Sequence, residues 1–307
     1  MTDQSASQPE TGFDAVLSFT LPDRDCRGRL VRLGPVLEQV LSAHDYPPAV
    51  KHCLAEALVL TALMGAMLKD EQDQLTIQAR SDNGLIRLMV CDYRGGDLRG
   101  YAEVAGDVPE HIGANARLET LFGEGHLAVT FDLASTGQRY QGIVPLEGEN
   151  IGHAIEHYFA QSEQVPTRVR TAMAFSHDGG IAAGMLVQHL ADGEEGRERL
   201  HVRFDQPEWE HVSIIASTVS HSELIDPAIS LEALVWRLFH EEREVRVDSA
   251  TPLQKGCRCT FAHYCKVLAR FPDDERAAMA NDDGNIVVDC AFCSKEFAIP
   301  AQSGEVS

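Results

Sequence analysis

Basic residues are the conspicuous shortage in this 307-residue sequence: 26 Lys and Arg stand against 47 Asp and Glu, a formal net charge of −21. Phosphate backbones and anionic membrane surfaces would be repelled by such a field, so neither nucleic acid nor a membrane is expected as the main partner. No basic patch with interleaved aromatics offsets the charge. Long apolar runs are lacking too. The longest, residues 57–68, is broken by Thr61 and Gly65; it falls short of the roughly 20 residues a membrane span needs and is expected to be a buried core helix. The opening residues MTDQSASQPETGFDAV contain no basic segment followed by an apolar one. No secretory signal is expected, and the cytoplasm is the expected compartment.

Catalytic signatures are missing as well. Neither G-x-S-x-G nor H-E-x-x-H occurs. Residues 95–100 (GGDLRG) lack the Walker lysine and the G-x-G-x-x-G spacing, so they read as a hairpin turn. No internal repeat is evident, and an enzyme is not expected. What is present is an ordinary globular composition, 44% apolar and 24% charged, in a chain long enough for a main domain with a smaller appendage.

Periodicity places strands over residues 13–21 and 27–33, a helix over 35–43, and a long helix over 49–68 whose first turn is preset by Pro47 and Pro48. From Leu75 the period becomes two. A hairpin over 75–91 and strands over 98–104, 127–133 and 140–145 suggest a meandering antiparallel sheet. A helix over 151–162, stopped by Pro166, precedes strands at 168–175 and 181–189 that are expected to extend the same sheet. The fold class is α+β, with an N-terminal mixed sheet-and-helix domain over residues 1–190. The charged, glycine-containing stretch 191–199 opens a helical linker over 191–255, with helices at 208–220 and 231–242. In the second of these Leu231, Leu234, Val235 and Leu238 form an apolar stripe, flanked by Trp236 and Phe239, that reads as core packing more than as a partner-binding face. Residues 256–307 form a small C-terminal zinc-binding domain.

That last assignment rests on cysteine. Of eight, Cys26, Cys53 and Cys91 are scattered, and five fall between 257 and 293. In a reducing compartment they should be thiols or metal ligands. Cys257-Arg258-Cys259 and Cys290-Ala291-Phe292-Cys293, 30 residues apart, supply what tetrahedral zinc needs: soft donors in two close pairs, each on a tight turn. An iron–sulfur cluster could use the same donors. With four sulfurs there is no open position for water, so the metal should be structural or regulatory, and His263 and Cys265 are surplus as ligands. Lys255, Arg258 and Lys295 flank the pairs and could favour thiolate, although flanking basic residues are just as often incidental. A short helix over 264–271, a helix start at 272–275 and a turn at 282–285 make a module too small to stand by apolar burial. Metal should supply most of its folding free energy, on the order of 10 kcal/mol. A thiol–disulfide oxidoreductase would set its C-x-x-C at a helix start after a strand, whereas here a turn precedes 286–288 and a second pair lies upstream. A zinc-ribbon nucleic-acid binder fits the spacing, but the charge opposes it.

These residues resemble the heat shock protein 33 family of redox-regulated chaperones. Its C-x-C and C-x-x-C motifs match the two pairs, and His44-Asp45-Tyr46-Pro47 and residues 139–142, 146–148, 158–168 and 235–242 also look like family segments. The resemblance implies an N-terminal substrate-binding and dimerisation domain, a helical linker, and a switch module holding one Zn2+ per chain. It implies inactivity when reduced. Oxidation would form disulfides Cys257–Cys259 and Cys290–Cys293, expel zinc, unfold module and linker, and let the protein, as a homodimer, hold unfolding client proteins without ATP. On this view Leu231, Leu234, Val235 and Leu238 are a client-binding face that loses its cover when the module unfolds. Cys265, an additional thiol, and the acidic stretch 192–199 depart from the simplest pattern.

Overall fold

The computed structural model describes residues 12–106, 109, 111–177, 179–190 and 207–301. Strands β1 (Ala15–Leu21) and β2 (Cys26–Leu33) form an antiparallel hairpin around the turn Pro22–Arg24, closed by Asp25 in left-handed backbone. Helices α1 (Pro35–Leu41) and α2 (Pro48–Gly65) follow, each with proline at its start, where a missing N–H costs nothing. Next come β3 (Gln74–Ser81), β4 (Ile86–Arg94), β5 (Asp97–Val104), α3 (Leu118–Phe122), β6 (Gly125–Leu133) and β7 (Gln138–Pro145). After α4 (Ile151–Tyr158), which widens into a π-turn over Phe159–Glu163, the chain forms β8 (Thr167–Ser176) and β9 (Gly179–His189).

One meandering sheet was expected; two are found. The second sheet has the order β5-β4-β3-β6-β7, so β6 pairs with β3 and not with β5. Strands β8 and β9 leave it and join β2 in the first sheet. The reason lies in α2. It is buried almost all round, and a helix with apolar residues on every side must be covered on both sides. Val16, Val31, Leu33 and Leu186 of the first sheet and Leu75, Ile77, Met89 and Val129 of the second close over it in one core. By length and composition α2 could cross a membrane, but 83% of its apolar window is buried inside the protein. Its one carboxylate, Glu56, accepts the Ile151 and Gly152 N–H groups at the start of α4 and the Thr171 hydroxyl.

The boundary expected at 191–199 lies outside the described residues. Beyond it, α5 (Pro207–Ser217), α6 (His221–Ile225) and α7 (Leu231–Phe239) lie on the outer face of the first sheet. Ser220 and Glu223 form a capping box on α6, and Ser230 caps α7. Leu231, Leu234, Val235 and Phe239 are buried against Leu17, Phe19, Leu30 and Met185, with Leu238 partly buried beside them, while Trp236 points to solvent. The stripe is therefore covered by the sheet, and the expectation that the C-terminal module covers it is corrected. From β2, the Arg32 guanidinium, fully buried, donates to the carbonyls of Leu224 (2.9 Å) and Ile229 (2.9 Å) and fastens the α6–α7 loop.

After α7 a strap leads across the body. Its two-residue strands β10 (Arg246–Val247) and β11 (Thr251–Pro252) pair with β1, and β12 (Gln254–Lys255) adds parallel to β5 at the edge of the second sheet. The chain then enters a module of α8 (Phe261–Leu268), α9 (Asp273–Met279) and the hairpin β13 (Asn285–Asp289) and β14 (Glu296–Pro300). Among the described residues its buried apolar cluster is Leu268, Ile286, Phe297, Ile299 and Ala301.

Candidate metal centre

The four paired cysteines converge. Cys257 follows β12 by two residues, held where the Gly256 N–H donates to the Leu98 carbonyl (3.0 Å). A side chain at Gly256 is excluded, because its Cβ would run into that of Asp97. Cys259 immediately precedes Thr260, the residue that caps α8. Cys290 and Cys293 occupy the turn joining β13 to β14. There the Ser294 N–H donates to the Cys290 carbonyl (2.8 Å), and Ser294 takes left-handed backbone.

Sulfur separations are 3.3 Å for Cys257 and Cys259, 3.6 Å for Cys257 and Cys290, and 3.5 Å for Cys259 and Cys293, with all four Sγ atoms within 4.8 Å of one another. A tetrahedron with Zn–S bonds of about 2.3 Å has edges of about 3.8 Å, so the donor set fits zinc in both chemistry and size. Burial opposes ionisation of Cys290, yet the Phe292 and Cys293 N–H groups and the Tyr264 hydroxyl outweigh it and lower the thiol to about 7. Burial instead raises Cys26 to about 12 and pushes Cys53 and Cys91 up, which leaves these core thiols protonated and inert.

Of the surplus candidates, Cys265 lies outside the four-thiol group and packs its α8 face toward the small core. His263 is exposed, its ring 5.4 Å from that of Tyr264. The basic residues expected to favour thiolate are engaged elsewhere. Lys255 Nζ donates to the Gln39 carbonyl (2.7 Å), Lys295 lies over the Phe297 ring, and Arg258 reaches Asp92 (3.2 Å).

The same two turns form the seat of the module on the second sheet and on the loop between α1 and α2. Phe292 meets Tyr101 edge-on at 4.8 Å, with the Arg99 guanidinium 3.9 Å above its ring. His44 Nε2 lies 2.8 Å from the Ala291 carbonyl, and the Ser294 hydroxyl donates to the Ala43 carbonyl (2.7 Å). None of Asp92, Arg99, Tyr101 or His44 was expected from the sequence to meet the cysteine pairs. The available signal was slight: Asp92 and Arg99 stand opposite each other across a Gly95-Gly96 hairpin, and an arginine sits between two ligand positions.

Fold and site together define a class: an α+β body carrying a C-terminal four-thiol metal module. The family model described as Hsp33 protein matches residues 14–300. The chain is 39% identical over 304 residues to the 33 kDa chaperonin of Caulobacter vibrioides (strain NA1000 / CB15N), covering 95% of this chain and 97% of that one. It is 34% identical over 277 residues to the 33 kDa chaperonin of Escherichia coli (strain K12 / DH10B), covering 90% and 88%. In fold it is similar to the crystal structure of the 33 kDa chaperonin (heat shock protein 33 homolog) from Thermotoga maritima, with a TM-score of 0.77 at 22% identity over 94% of this chain and 95% of that one. The chain belongs to the Hsp33 family, a family of chaperones.

Proposed function

We propose that this chain is a cytoplasmic, redox-regulated holdase that works without ATP or catalysis. Its four thiolates, Cys257, Cys259, Cys290 and Cys293, hold one Zn2+ in the reduced, inactive form. Bound zinc keeps the thiols deprotonated and supplies most of the module's stability. The observation that carries the reading is that the turns bearing the four thiols are also the contacts seating the module on the body.

Hydrogen peroxide oxidises each close pair: two thiolates give up two electrons and join as one disulfide, and the peroxide takes those electrons and two protons from solvent to become two waters. The pairing Cys257–Cys259 and Cys290–Cys293 comes from the family resemblance; the 3.3 Å separation of the first pair supports it. With the donors consumed, the module loses its main stabiliser. Cys257 lies two residues beyond β12, so loss of the module pulls on the strap whose other strands pair with β1 under the linker. At elevated temperature, peeling that strap loosens α7, whose own apolar seat holds it longer than the module is held. The face exposed is the stripe Leu231, Leu234, Val235 and Leu238 together with the sheet surface it covers, Leu17, Phe19, Leu30 and Met185. Unfolding client proteins bind there by apolar burial, the active form is a homodimer, and a net charge of −21 keeps it soluble while disfavouring nucleic acid and membranes. Residues 1–190, 191–255 and 256–307 act as client-binding domain, linker and switch.

Purified, zinc-loaded protein treated with peroxide at elevated temperature tests this. Zinc release should coincide with suppressed light scattering by an aggregating client. Zinc release with no suppression would overturn the holdase reading.

A further inference from the structure

We propose that Asp92 is an electrostatic latch that seats the metal module on the second sheet independently of thiol ligation, so that neutralising it frees the module with zinc still bound. The inference rests on the switch reading for its biological role, but not for its physics.

Asp92 lies on β4, facing outward, yet its side chain is only 5% exposed. One carboxylate oxygen accepts the Thr76 hydroxyl at 2.7 Å. The other is shared: Arg99 of the same sheet donates from Nε (2.9 Å) and Nη2 (2.6 Å), and Arg258, between the two cysteines of the C-x-C turn, donates at 3.2 Å. Arg99 in turn covers the Phe292 ring of the other turn. One carboxylate thus reaches both thiol-bearing turns, the first directly and the second through Arg99.

The charge balance makes this contact decisive. Arg258 faces the positive charges of Arg99 and Arg94 and the negative charges of Asp92 and Asp97. Its Nη1 is buried with no hydrogen-bond partner among the described residues, so docking strips water from a guanidinium and returns one bond to a carboxylate. Without the charge on Asp92, three guanidiniums would share one carboxylate, and the amide oxygen introduced by Asp92→Asn would accept from them without the negative charge that balances them. Repulsion would then replace attraction at the centre of the seat. Bonds inside the metal cluster would be untouched, because among the described residues Asp92 makes no hydrogen bond to any of the four cluster cysteines.

The test uses the full, zinc-loaded, reduced chain and follows amide hydrogen exchange together with zinc content. In Asp92→Asn, zinc should stay at one per chain. The Gln254 and Gly256 amides, which donate to Gly96 and Leu98 across the β12–β5 seam, should exchange at least about tenfold faster, while the Asp248 amide bonded to Ser18 stays protected. Adding Arg258→Met removes the stranded charge and should restore most of that protection, a sign of coupling that plain destabilisation of the sheet would not give. Unchanged exchange in Asp92→Asn, or acceleration without rescue by Arg258→Met, overturns the latch. Should Asp92→Asn not fold, Arg258→Glu decides, since it alters the module alone: about tenfold faster exchange at Gly256 supports the latch, and wild-type exchange overturns it. None of these readouts depends on client binding, so a wild-type protein that fails to suppress aggregation would remove the holdase reading and leave the latch standing.

Discussion

Linker and module both lie against the body, but they are held by different physics. The linker seat is apolar: Trp209, Val212, Leu224, Leu231, Leu234, Val235 and Phe239 are buried on the first sheet, and full burial of such side chains is worth about 1.5–3 kcal/mol each. The module has five small-core residues among those described and meets the second sheet and the α1–α2 loop through a handful of polar contacts and one aromatic pair. One seat responds to deletion of apolar volume, the other to the state of four sulfurs and a few charges. A switch built this way places its sensor on the weaker contact and its sticky surface under the stronger one.

The sharpest way to break that contrast is to remove metal. With zinc chelated, or in a Cys257→Ser, Cys290→Ser variant, the module should lose on the order of 10 kcal/mol and hydrogen-exchange protection of β13 and β14 should vanish. The α7 amides should outlast them at room temperature. Simultaneous loss in both regions would mean that the two seats are one cooperative unit. Next in size is Phe239→Ala, which removes a fully buried ring 5.4 Å from Phe19. It should cost about 3–5 kcal/mol and loosen α5–α7, seen as faster proteolysis, while zinc content stays at one per chain.

Arg32→Met leaves the Leu224 and Ile229 carbonyls without their charged donor and should weaken the linker seat by about 2–3 kcal/mol. A thermal melt followed by tryptophan fluorescence, from Trp209 and Trp236 of the linker, reads it, and a zinc-dependent shift of the same size in the module would contradict separate seats. The smallest effect concerns Glu242, whose side chain is 6% exposed beneath Arg24 and His211. Burial resists ionisation there, but hydrogen bonds from Arg24 and His211 prevail and hold the carboxyl below its ordinary value of 4.5. Its contribution is therefore fully present above pH 4.5 and is lost as pH falls through the lowered value. Protease sensitivity of the linker should rise below pH 4.5 in wild type more steeply than in Glu242→Gln. Parallel curves would remove Glu242 from the seat.

Much of the fold was legible. Strand and helix positions followed from periodicity and from prolines at 47 and 48, since both are local properties of the backbone. Pairing was not: alternation shows that residues 167–189 form two strands, but whether β9 adds to β7 or to β2 is settled by which surface α2 leaves uncovered. The stripe on α7 read correctly as core packing, although its cover proved to be the first sheet and not the module. The flanking lysines and arginine looked like thiolate partners because proximity in sequence was all that could be seen; in space Arg258 turns away to Asp92, 166 residues distant.

By itself, then, the sequence determined the α+β class, the acidic surface and the four thiols, because composition, periodicity and the close spacing within each cysteine pair are local and survive without coordinates. Only the tertiary structure decided that strands far apart in the chain form two sheets around α2, that Arg32 fastens the linker, and that the thiol-bearing turns rest on Asp92, Arg99 and Tyr101. Those contacts join residues with no common sequence pattern, brought together by the need to cover one apolar helix on both sides and to pair the charges left at the edge of the second sheet.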